Sequence, residues 1–200
     1  TFFLETSSCV IGFGELSATD SKFKQAKEYV RIGTNYSSQK QYQLAIENLT
    51  KAIQIDSNYA LAYNNRGLAY KKLELYQEAL NDPTKAIAIA PDWSKAYHNR
   101  GLLHYELGNY KDALDDFKIE IKKDPTNLFA YTKLGYSYYK LKDYQSALWN
   151  FNKAIKLHPN NSYGYESRGY FYYHALNKYR DALKDFDKAI KLDPNTDHYF

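Results

Sequence analysis

Histidines, cysteines and paired charges are where any chemistry in this chain would have to begin. The five histidines, His98, His104, His158, His174 and His198, are scattered, and no two stand four apart as in a zinc-protease helix. Cys9 is the single cysteine, so neither an internal disulfide nor a cysteine-rich zinc site is available. No phosphate-cradling glycine loop and no G-x-S-x-G nucleophile turn is present. These absences predict no catalytic residue, no metal, no cofactor and no enzyme in this segment. One charge pattern does stand out. Arg66 and Arg100 are each followed sixteen residues later by Asp82 and Asp116, and Arg168 seventeen later by Asp185. Where an aliphatic replaces the arginine, as at Ile32 and Leu134, an asparagine (Asn48, Asn150) replaces the acid. Covariation of this kind predicts three arginine–carboxylate forks, each tying two elements together.

The elements that hold these pairs follow from the residues around them. Gly33, Gly67, Gly101, Gly135 and Gly169 recur every 34 residues. An aromatic precedes each glycine by four positions (Tyr29, Tyr63, Tyr97, Tyr131, Tyr165), and a second ring follows three later (Tyr36, Tyr70, His104, Tyr138, Tyr172). Such offsets lie on one side of a helix. After a short turn come a tyrosine (Tyr42, Tyr76, Tyr110, Tyr144, Tyr179) and a small alanine (Ala45, Ala79, Ala113, Ala147, Ala182), again at helical spacing. Pro91, Pro125, Pro159 and Pro194 close four of the five copies, because proline cannot continue a helix. Each unit is therefore predicted to be a helical hairpin, with Gly and Ala at the close approach. Neither helix can bury its apolar stripe alone, so neighbours must stack. Ten helices are expected between about residue 21 and residue 195, the first capped by Thr19, Asp20 or Ser21.

Three departures carry expectations. Pro83 sits inside a second helix, where it removes a donor and clashes with the carbonyl of Ala79, so a kink or a frayed turn is expected. Glu120 and Lys123 replace a small and an aliphatic residue and should loosen the end of their helix. The extra residue of the fifth copy is placed in its turn, near Leu176–Lys178.

A motif of this length, recurring five times, resembles the tetratricopeptide repeat (TPR) family. The resemblance implies an all-α fold: a right-handed superhelical solenoid of antiparallel helix pairs, first helices lining a concave groove. Repeats are assigned to residues 26–59, 60–93, 94–127, 128–161 and 162–196, with 1–20 a leader and 197–200 the stub of a further helix or cap. The family's groove offsets fall on Lys27, Arg31, Asn64, Asn65, Lys72, Lys95, His98, Asn99, Lys133, Tyr136, Tyr139, Tyr170 and Tyr173, which are the candidate partner-binding residues. The same offsets also take in Tyr105, Phe129, Lys140, Tyr163 and Ser167. One branch of the family grips a C-terminal carboxylate with five fixed residues. Laid over the first three copies, that pattern meets only Asn65 and Lys95, and Val30, Thr34 and Asn99 break it.

Composition bounds the partner. The net charge of +4 is too small to argue for nucleic acid. The load of 22 tyrosines suits half-buried surfaces and grooves. No stretch of eighteen apolar residues exists, so no membrane span is expected. The expectation is a non-catalytic scaffold or adaptor whose groove takes a partner's peptide of acidic, apolar or aromatic character. The alternatives are an RNA-binding helical array and the targeting region of a larger enzyme. The composition favours the cytoplasm, with a secreted or periplasmic setting if residues 1–18 are a signal remnant. Oligomeric state is not encoded in any pattern found.

Overall fold

The computed structural model describes residues 12–194, and among them it forms ten α-helices and no strand. Cys9 and the expected terminal stub lie outside the described residues. The helices fall into two compact units, one ending at Ala90 and the other beginning at Pro91. The first unit contains α1 (Gly12–Ser38), α2 (Tyr42–Ile55), α3 (Ala60–Lys72) and α4 (Tyr76–Ile89). The second contains α5 (Ser94–Glu106), α6 (Tyr110–Lys123), α7 (Leu128–Lys140), α8 (Tyr144–Leu157), α9 (Ser162–Leu176) and α10 (Tyr179–Leu192). Within each unit consecutive helices pack as hairpins. First helices also lie side by side: α1 touches α3, and α7 touches both α5 and α9.

The glycines act where the hairpins close. A Cβ on Gly101 would stand 2.9 Å from Phe117 Cε1, one on Gly135 2.9 Å from Phe151, and one on Gly169 2.8 Å from Phe186. Phe117 and Phe151 are fully buried, so glycine on the first helix makes room for the ring on the second. The turns are equally regular. Lys40, Glu74, Gly108 and Lys142, again 34 apart, all have positive φ. The next residue's N–H reaches back five positions: Gln41 to Tyr36 O, Leu75 to Tyr70 O, Asn109 to His104 O and Asp143 to Tyr138 O. This is the left-handed closure that satisfies the last carbonyls of a helix. Only one of these four positions is glycine.

Several expectations are corrected. Helix α1 starts at Gly12, so Thr19–Ser21 lie within it rather than capping it; no proline interrupts the segment. Helix α4 runs without a break through Pro83 to Ile89, as long as its counterparts, so the turn does not fray. The pyrrolidine ring is buried in the slot that Leu49 and Phe117 fill elsewhere, with Cδ 2.9 Å from a Cβ built on Gly67. The buried ring keeps the helix packed despite the lost backbone bond. The extra residue of the fifth hairpin lengthens α9 instead of its turn. The closing bond, Lys178 N–H to Tyr172 O, spans six residues rather than five, and Asn177 takes the left-handed position.

The end of α6 is not loosened either. Glu120 is 3% exposed, with Oε2 3.0 Å from His98 Nδ1 and Oε1 accepting from Asn127 Nδ2 at 2.9 Å. Lys123 pairs with Asp92 at 2.8 Å. A buried carboxylate with partners on both oxygens binds its neighbours instead of prising them apart.

Candidate functional site

All three expected forks form. Arg66 donates to Asp82 through Nε and Nη2, both at 2.8 Å. Arg100 does so to Asp116 at 2.9 and 2.7 Å, and Arg168 to Asp185 at 2.7 and 2.7 Å. The carboxylates are buried, and their bonds hold each guanidinium's pKa above its ordinary value against the opposing effect of burial. Two tyrosine rings lie beside each of two guanidinium groups: Tyr63 and Tyr70 at Arg66, Tyr165 and Tyr172 at Arg168. Each pair ties the first helix of its hairpin to the second.

A cavity of about 280 Å³ lies on the first helices of the second unit. Tyr105 of α5, Lys133, Tyr136, Tyr139 and Lys140 of α7, and Tyr163 and Tyr170 of α9 line it. Spacing on α7 explains the convergence, since 133, 136 and 140 fall three and four apart on one side of the helix. The rings brace one another. Tyr136 meets Tyr170 edge-on at 6.1 Å and the buried Phe151 at 5.1 Å, while Tyr139 stands edge-on to Phe171 at 5.8 Å. Burial pushes the Tyr105 phenol up to about 12 and raises those of Tyr136 and Tyr139, so all three stay protonated donors at neutral pH. Lys133 lies 5.9 Å from the Tyr136 ring centre and Lys140 5.6 Å from that of Tyr139. The result is a rigid aromatic recess with two cations at its side.

Four of the candidate residues, Lys133, Tyr136, Tyr139 and Tyr170, therefore meet in one place. Tyr105, Lys140 and Tyr163, which the family offsets include, complete it. The other candidates are placed differently. Tyr173 is exposed and packs on His174 and Tyr179, outside this cavity. His98 is turned to Glu120, so it serves packing rather than an open groove. Asn99 is half-buried and Lys95 exposed on α5. In the first unit Asn64 is 1% exposed and bonded to Asn65 Oδ1, which takes it off the surface. Asn65 donates to Thr34 at 3.2 Å. Arg31 is held by Glu28 through two bonds of 2.8 and 2.7 Å, whereas Lys27 and Lys72 are exposed. Among the described residues, no group of three or more His, Cys, Asp or Glu could hold a metal ion, and no helix is long and apolar enough to cross a membrane.

Paired helices with this turn, glycine and ring pattern define a helical-repeat scaffold. A profile described as "TPR repeat" matches residues 33–74, and profiles described as "Tetratricopeptide repeat" match 60–92, 94–127, 128–161 and 164–196. The chain belongs to the tetratricopeptide repeat family. Solved structures share the fold. MamA from Desulfovibrio magneticus RS-1 superposes with a TM-score of 0.75 at 21% identity, covering 86% of this chain and 97% of that one. Another structure of MamA gives 0.71 at 23% identity, covering 84% and 98%. YrrB, described as a TPR protein with an unusual peptide-binding site, gives 0.67 at 22% identity, covering 92% and 94%. No curated protein matches the chain.

Proposed function

We propose that this chain is a non-catalytic adaptor that binds a peptide segment of a partner protein along its first helices. The tyrosine recess between α5, α7 and α9 carries the reading. Rings held by packing give contact area with little loss of side-chain entropy. An apolar or aromatic side chain fits among Tyr105, Tyr136 and Tyr170, and Lys133 and Lys140 favour an acid next to it. Peptide binding in YrrB, a protein of the same fold, supports the same reading.

The test is capture of partners by the intact chain, then titration of the peptides recovered. Tyr170→Ala and the pair Lys133→Glu with Lys140→Glu are each expected to weaken binding about tenfold or more. Exposed lysines of second helices, Lys85 of α4 and Lys188 of α10, serve as controls. Unchanged affinity in both recess variants would count against the site. Rings beside lysines also suit unpaired nucleobases. Tight, steeply salt-dependent binding of single-stranded RNA would favour that alternative.

A further inference from the structure

The fourth hairpin lacks the fork and has a hole in its place. Leu134 stands where the second, third and fifth hairpins carry arginine, and Asn150 where they carry aspartate; the first hairpin, with Ile32 and Asn48, shares the exchange. Around them opens a cavity of about 380 Å³, lined by Leu134 and Tyr138 of α7, Lys118 of α6, and Gln145, Ser146, Trp149 and Asn150 of α8. It lies on the opposite side of α7 from the tyrosine recess and shares no residue with it.

Three observations describe what the cavity would accept. Asn150 is 3% exposed, and its Nδ2 donates to Ser146 O at 2.8 Å, which fixes the amide's orientation. Its Oδ1 is buried and has no hydrogen-bond partner, so the site calls for a donor. Lys118, on α6 of the preceding hairpin, occupies the position of Thr50 and Asn152, each of which accepts the third contact of the arginine in the hairpin that follows it. Its ammonium lies 5.9 Å from the Tyr138 ring centre, in a role the guanidinium plays elsewhere. A second cation would therefore meet a like charge with no buried carboxylate to offset it. A carboxylate would face the Asn150 acceptor. Finally, Trp149 is 60% exposed at the rim, and Leu134 and Tyr138 provide apolar surface. Exposed tryptophan beside a cavity is the usual form of a binding anchor.

We infer that this cavity is a second partner site, which takes a neutral aromatic side chain bearing a donor, tyrosine or tryptophan, from another protein. The phenol or indole hydrogen reaches Asn150 Oδ1, which is closed to solvent in the free chain and is uncovered as the ring enters; the ring lies against Trp149 and Leu134, and Lys118 faces the ring. This site is independent of the peptide reading of the tyrosine recess.

The experiment uses small probes on the intact, isotope-labelled chain, following the Trp149 indole and Asn150 side-chain amide signals. p-Cresol is expected to shift both saturably. 4-Methylanisole, which lacks the donor, is expected to bind at least about tenfold more weakly, and methylguanidinium to cause no saturable shift. Leu134→Arg with Asn150→Asp rebuilds the fork of the second, third and fifth hairpins and should abolish the p-cresol response. Trp149→Ala, at an exposed position, should weaken it without disturbing the fold, which keeps the test decisive if the double variant does not fold. Equal binding of p-cresol and 4-methylanisole, saturable binding of methylguanidinium, no response to p-cresol, or an unchanged response in the folded variants would each overturn the inference.

Discussion

The third and fourth hairpins share a backbone plan and differ at its centre. In the third, Arg100 fills the space between helices and closes on Asp116, which is buried. In the fourth, Leu134 stops short, Asn150 turns back to its own helix, and a cavity opens. Both hairpins are nonetheless helical to the same lengths, with α5 matching α7 and α6 matching α8. The fork is therefore not what makes the hairpin. Removing two charges from water costs about what their attraction returns. What the fork does is close a slot and set one arrangement of the helices around it.

This comparison can be broken in several ways. Asp116→Ala takes the buried carboxylate away from the charged Arg100 in a half-buried slot, and is expected to cost about 3 kcal/mol by denaturant unfolding. Asn150→Ala in the fourth hairpin removes an acceptor that has no partner, and should cost far less. Equal losses would erase the distinction. Pro83→Leu tests the second hairpin, where leucine is the residue that the first hairpin uses in the same slot. It restores the N–H that Ala79 O lacks and should stabilise by about 2 kcal/mol, read as a raised unfolding midpoint. Arg100→Leu together with Asp116→Asn converts the third hairpin into the type of the fourth. Stability should change by no more than about 1 kcal/mol, because both charges leave together. A large loss would show that the fork contributes net energy after all.

The smallest effect concerns pH. The Tyr105 phenol has a folded pKa of about 12, raised by burial above its ordinary value of 10.0. Its contribution is present in full below the unfolded pKa and is lost as pH rises through the folded one. Stability should thus fall between pH of about 10 and about 12, and Tyr105→Phe should flatten part of that fall, followed by phenolate absorbance alongside helicity. An unchanged alkaline profile would place Tyr105 outside the recess.

Much of this was legible in the sequence because it depends on spacing. Glycine against ring, the ten helices and the arginine–aspartate pairing all follow from residues a fixed number of positions apart, and a helix turns that spacing into a face. The places that misled involve substitution rather than spacing. Pro83 reads as a breaker, yet its ring fills a buried slot. Glu120 reads as an intruder, yet His98 and Asn127 occupy both its oxygens. His98 and Asn64 fit the groove offsets but are drawn inward by partners that no single-repeat pattern reveals. For the site, Tyr136 and Tyr170 were visible as rings at groove offsets. That Tyr105 and Tyr163 converge on them depends on three helices meeting, which alignment of one repeat with another does not show. The cavity at Asn150 was hidden for the opposite reason: a polar residue opposite a leucine looks unremarkable until its oxygen is found without a partner.

Arg66 and Arg168 each hold a third contact besides the fork. Arg66 Nη1 reaches Thr50 on α2 at 3.1 Å, and Arg168 Nη1 reaches Asn152 on α8 at 2.6 Å. Each of these side chains therefore spans three helices and couples a repeat to the one before it. In a linear stack, melting spreads or halts according to such nearest-neighbour terms. At the corresponding joint, Leu134 makes no polar link back to α6. Under partial denaturation that joint should open before the two that carry a third contact, leaving α9 and α10 to exchange their amide hydrogens as a unit tied to α8, a pattern native-state hydrogen exchange can resolve.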